Sequence, residues 1–101
     1  MKTKNDLITL KIDHIIHMTD DTGILQHSIY GVPNLSKGYT SDDNARALIM
    51  AVKLYSLYRL KRVARLIYTY ISFLCNAQNT DGTFRNFMGY NREFLEEEGL
   101  I

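Results

Sequence analysis

Between Arg46 and Asn76 the chain has neither glycine nor proline, and its apolar side chains recur three and four residues apart. Nothing in that stretch breaks a helical ladder, and the spacing gathers apolar groups onto one side of a helix. Two apolar stripes are legible. Ala45, Leu48, Ile49, Val52 and Tyr55 mark one helix, starting at Thr40 or Ser41; Val63, Leu66, Ile67, Tyr70 and Leu74 mark the next. One helix across both would run far beyond the usual mean of roughly 11–12 residues. The break is placed near residues 57–61, where the apolar periodicity weakens.

A further helical pattern covers residues 6–17, where Ile8, Ile12, Ile15 and Ile16 share a stripe and Asn5 or Asp6 can cap the start. Its isoleucine content also suits a strand, but the spacing favours helix. Asp20, Asp21, Gly23, Gly31, Pro33, Asn34, Ser36 and Gly38 then interrupt the pattern. A connection of this length is usually functional or disordered. Ile24, Leu25, Ile29, Tyr30, Val32 and Leu35 make it too apolar for disorder, so an ordered loop with a short strand around residues 24–29 is expected. Thr40 followed three residues later by Asp43 resembles a capping box with Asp in place of Glu. Asn79-Thr80-Asp81-Gly82 is a turn signal, residues 83–90 read as loop or short extended segment, and Asn91-Arg92-Glu93-Phe94-Leu95-Glu96-Glu97-Glu98 as the start of another helix. Three stripes, a long ordered loop and a fourth element barely begun lead to the expectation of one unit over residues 1–101 belonging to a larger helical fold. Apolar helix faces left without partners are expected to drive self-association.

Composition narrows the function classes. Hydrophobic residues make up 46% and charged residues 23% of the chain, an ordinary globular balance. A formal charge of +1 provides no field toward nucleic acid or an anionic membrane. Arg59, Lys61, Arg62 and Arg65 read as a solvated helix face. The N-terminal stretch lacks a signal-peptide apolar core, and no apolar run reaches the roughly 20 residues of a membrane span, so cytoplasmic residence is expected. Cys75 cannot form an internal disulfide and, within an apolar run, is expected to be a buried, inert thiol.

Asp42 and Asp43 are the strongest candidates for chemistry. Free N–H groups and the macrodipole at a helix start favour negative charge, so ionised carboxylates are expected there. Such groups suit a base, a nucleophile or a hydroxyl ligand rather than a general acid, which needs a raised pKa. The same residues equally serve as helix-start charges with no further role. Arg46 stands at the spacing of an intrahelical ion pair with them. Asp81-Gly82 reads as a turn, leaving Arg85 and Asn86 to face a cleft, while Tyr30, Tyr39, Phe87 and Tyr90 offer stacking faces or core. His14 and His17 are spaced i, i+3, but no third ligand stands at characteristic spacing, so neither a metal nor a cofactor is expected. No phosphate loop, nucleophile elbow or zinc-finger spacing is present.

Three strings carry a family resemblance: Asp20-Asp21-Thr22-Gly23-Ile24-Leu25-Gln26-His27 with Val32-Pro33, then Gly38-Tyr39-Thr40-Ser41-Asp42-Asp43-Asn44-Ala45-Arg46-Ala47-Leu48, then Gln78-Asn79-Thr80-Asp81-Gly82-Thr83-Phe84-Arg85-Asn86-Phe87-Met88. Together they resemble a bacterial six-hairpin toroid domain of glycosidase-like type, often fused to glycosyltransferases. The resemblance implies an all-α fold of helical hairpins, here the N-terminal part of an α/α toroid, with loops at one rim forming a carbohydrate-facing cleft. It implies Asp42 and Asp43 as catalytic residues and His27, Tyr39, Asn44, Arg46, Asp81, Arg85 and Asn86 as substrate-binding residues. Relatives continue through further hairpins, so a second catalytic carboxylate is expected outside this sequence and the fragment is expected to be inactive alone. The alternative is a non-catalytic helical interaction module in which the same residues cap a helix and hold loops.

Overall fold

A computed structural model describes residues 4–25, 28–29, 32–33 and 38–95. Its elements in chain order are α1 (Lys4–His17), β1 (Ser28–Ile29), β2 (Val32–Pro33), β3 (Tyr39–Thr40), α2 (Ser41–Tyr58), α3 (Lys61–Ala77) and β4 (Phe87–Met88). The structure is mostly helical. The strands form two antiparallel pairs, β1 with β2 and β3 with β4, the latter in the register Tyr39 opposite Met88 and Thr40 opposite Phe87. Isolated bridges join Thr19 to Ile24 and Leu25 to Tyr39, so within the strand expected near residues 24–29 strand-type pairing is present at residues 24–25 and 28–29.

The α2–α3 break falls at Arg59 and Leu60. Arg59 adopts the left-handed conformation (φ 52°, ψ 35°), and its N–H donates to the Tyr55 carbonyl, closing the last turn. A non-glycine residue there costs about 1 kcal/mol. The Arg59 guanidinium lies 5.4 Å from the centre of the Tyr55 ring, a contact worth roughly 0.5–1 kcal/mol at an exposed site. At the other end of α2, the Thr40 hydroxyl accepts from the Asp43 N–H at 3.0 Å, the expected cap.

The core has two connected parts. Ile12 and Ile15 of α1 meet Ala47 and Ala51 of α2 and Val63, Leu66 and Tyr70 of α3 in one; Met18, Leu25, Tyr39, Phe73, Ala77 and Met88 form the other beneath the loops. The α1 and α3 stripes are those expected. The α2 stripe is rotated: its buried residues are Ser41, Asn44, Ala47 and Ala51, whereas Ile49 and Val52 are 57% and 48% exposed. Small side chains let the backbones of packed helices approach, and the longer Leu48, Met50, Leu54 and Tyr55 then flank the contact. Two further expectations are corrected. Cys75 is exposed, because it lies on the side of α3 opposite Phe73 and Ala77. Residues 91–95 do not start a helix: Arg92 has φ 67°, its N–H donates to the Gly89 carbonyl, and Phe94 bridges back to Met88. Residues 96–98 of that expected helix lie outside the described residues.

Candidate functional site

Because α3 folds back along α2, the start of α2 and the end of α3 lie together. Three polar segments that are far apart in sequence, residues 19–25, 38–46 and 78–95, are clamped there. Gly38 (φ +65°) is required for this junction, since a side chain on it would collide with the Met88 carbonyl.

Residues 78–86 form the outer edge of the rim. The Asn79 N–H donates to the Thr83 carbonyl at 2.6 Å, and one Asp81 carboxylate oxygen accepts from both the Thr83 N–H and its hydroxyl. Those bonds, the hydroxyl's first, hold the exposed Asp81 carboxyl below the usual range. The Arg85 N–H donates to the Ala77 carbonyl, its guanidinium donates to the Asn76 carbonyl at 2.8 Å, and the same guanidinium lies 4.3 Å from the Phe94 ring centre. Asn86 then reaches α2. Its carbonyl accepts the Ser41 N–H at 2.8 Å and its side-chain oxygen the Asp42 N–H at 3.3 Å, while the Ser41 hydroxyl donates to the Arg85 carbonyl at 2.6 Å. The helix start is therefore satisfied twice, locally by Thr40 and from 44 residues away by Asn86.

The residues singled out in the Gly38–Arg46 string divide into two groups. Asp42 and Arg46 face solvent and pair at 3.3 Å, with 63% and 76% of their side chains exposed; Asp43 is half-buried beside them. Tyr39 and Asn44 are fully enclosed. The Asn44 side-chain oxygen accepts the Ile24 N–H at 3.0 Å and its amide donates to the Thr40 carbonyl at 2.7 Å, so it ties the first loop to the cap of α2. Gly23 packs against it so closely that a Cβ would sit 2.5 Å from the Asn44 oxygen. His27 lies outside the described residues. His14 and His17 are exposed near the end of α1, and among the described residues no three His, Cys, Asp or Glu side chains gather as a metal site.

A second polar cluster, centred on Asp20 and Arg92, has no counterpart in the expectations. One Asp20 oxygen accepts the Thr22 and Gly23 N–H groups; the other takes the Tyr39 hydroxyl in a short hydrogen bond and faces the Arg92 guanidinium at 3.4 Å. Arg92 also donates to the Thr22 hydroxyl, the Tyr90 carbonyl and Asp21, and lies 4.5 Å from the Tyr90 ring centre. Burial, and then the Asp20 carboxylate, raise the Tyr39 phenol far above its ordinary range. Its hydrogen bond to Arg92 holds the exposed Asp21 carboxyl below the usual range. Asp20 reads in sequence only as a turn former. Arg92 reads in sequence only as part of an expected helix start, because its partners Thr22, Asp21 and Asp20 lie 70 to 72 residues away.

No family model, curated protein or solved structure matches this chain. The chemistry of the rim therefore stands on its own residues. Its exposed groups include the charged Asp42 and Arg46 and the rings of Phe84, Phe87 and Tyr90, whereas Tyr39, Asn44 and Asn86 act by holding the segments in register.

Proposed function

We propose that this chain is a carbohydrate-associated unit of an α/α toroid of the glycosidase-like or glycosyltransferase-linked kind, without catalytic activity by itself. Its sugar-facing surface is the rim at the start of α2. The observation that carries this reading is the clamping of three sequence-distant polar segments onto one end of a helical hairpin, with Asp42 and Arg46 left outward at its edge. A carboxylate and a guanidinium held a few ångströms apart accept from and donate to neighbouring sugar hydroxyls. Hydrolysis would require a second carboxyl group placed across the glycosidic bond and a proton donor with a raised pKa. Asp42 stands exposed at the edge of the rim and pairs with Arg46 at 3.3 Å. The exposed Ile49, Val52, Tyr68 and Ile71 are a surface that adjacent hairpins of a toroid would cover.

The enclosed positions of Tyr39 and Asn44 favour a second reading, a non-catalytic interaction module in which the motif only builds the helix start. The two readings separate in the double variant D42N/D43N. Loss of oligosaccharide binding, followed by NMR at the amides of residues 42–46, with an unchanged melting temperature supports the sugar-facing rim. A lowered melting temperature with binding retained supports the module.

A further inference from the structure

We infer that a cleft beside α3, separate from the start of α2, is a binding site for one neutral, hydroxyl-bearing ring of monosaccharide size. The cleft has a volume of about 290 Å³ and is lined by Ser72 and Asn76 of α3, by Asp21, Thr22 and Arg92 of the loops, and by Met88. Phe94, partly exposed and with its ring centre 5.9 Å from that of the buried Phe73, forms the apolar part of the floor. Small-molecule sites run from roughly 300 to 1,000 Å³, so this one takes a single ring rather than an oligosaccharide.

Its walls decide the chemistry of the occupant. Ser72 and Asn76 stand four residues apart on the exposed side of α3, so their side chains lie one above the other. Neither side chain has a hydrogen-bond partner among the described residues, which leaves a hydroxyl and a carboxamide, each able to donate and accept. Across the cleft, the Arg92 guanidinium is already engaged by Asp20 at 3.4 Å and Asp21 at 3.2 Å. Two carboxylates against one guanidinium leave that wall net negative, so an anion such as phosphate is disfavoured. Among the described residues no three His, Cys, Asp or Glu side chains gather there to hold a metal ion. A ring with an apolar face and a polar edge matches both surfaces, the face against Phe94 and the hydroxyls toward Ser72, Asn76 and the spare Arg92 N–H. The ligand class, though not the cleft, rests on the carbohydrate reading above.

The test is a ¹⁵N NMR titration of the full chain with methyl glucoside, methyl mannoside and N-acetylglucosamine, with inorganic phosphate and calcium as comparison probes. For a single small ring the dissociation constant is expected to be on the order of millimolar. At least one sugar is expected to shift the amides of Thr22, Ser72, Asn76 and Arg92. Asn76→Leu, which fills the cleft, is expected to weaken that binding at least tenfold. Ser72→Ala, a mild change on an exposed helix surface, is expected to weaken it measurably should the leucine variant fold poorly. Shifts confined to residues 42–46 would overturn the cleft and leave the rim reading standing; shifts confined to the cleft do the reverse. Stronger effects from phosphate or calcium at the cleft amides, or no response to any sugar, also overturn it.

Discussion

Replacing Asn44 by alanine tests whether this motif residue is a structural tie. The side chain is fully buried and makes two hydrogen bonds, accepting from the Ile24 N–H at 3.0 Å and donating to the Thr40 carbonyl at 2.7 Å. Two such bonds contribute about 1 kcal/mol each, and the stranded Ile24 N–H adds a desolvation cost of about 1–2 kcal/mol. The expected loss is about 3–4 kcal/mol, a drop in Tm of roughly 15–25 °C for a domain of this size. Gly23→Ala supplies an internal control. Its Cβ would stand 2.5 Å from the Asn44 oxygen and 3.1 Å from a Phe73 ring carbon, and Gly23 does not need a left-handed backbone. On its own the alanine should therefore cost about 1–3 kcal/mol through overpacking. In the N44A background the oxygen is gone and the methyl enters vacated space. The double variant should then be more stable than the sum of the single losses by about 1 kcal/mol or more. Urea unfolding followed by far-UV circular dichroism at one fixed protein concentration gives all four corners of the cycle. An unchanged N44A midpoint, or strictly additive losses, would refute the tie.

Three further outcomes are expected. Burial raises the phenols of both Tyr39 and Tyr70 above their ordinary value of about 10, so the folded state holds these protons longer than the unfolded chain does. Their contribution is complete below about pH 10 and is lost as pH rises toward the folded values, so the urea midpoint should hold up to about pH 9 and fall as pH rises past about 10, and Tyr39→Phe should flatten part of that fall. Cys75, exposed on α3, should react stoichiometrically with a maleimide in native buffer; labelling only in denaturant would contradict its position. Light scattering should detect association that grows with concentration through the apolar surface around Val52 and Ile71, and Ile71→Lys should reduce it. A clean monomer at high concentration would count against that surface as a contact.

Local rules made much of the helical framework legible. The Thr40 cap, the turn at residues 79–82 and the break after Tyr58 each follow from residues within a few positions of one another. The rotated buried stripe of α2 does not. Ile49 and Val52 are the more hydrophobic residues, yet Ala47 and Ala51 are buried because close approach to α3 selects small side chains. The turn at residues 89–95 likewise overrides a helix-like pattern, since Arg92 is held by Asp20, Asp21 and Thr22.

The rim shows the same division. The sequence alone determined that Asp42, Asp43 and Arg46 would cluster at a helix start, because the helical repeat and the cap are local properties. Only the tertiary structure decided that Asn86 would complete that start, that Tyr39 and Asn44 would be enclosed while Asp42 faces outward, and that Asp20 would meet Arg92. Those outcomes depend on groups 19 to 72 residues apart, and chain folding alone brings such groups within hydrogen-bonding distance.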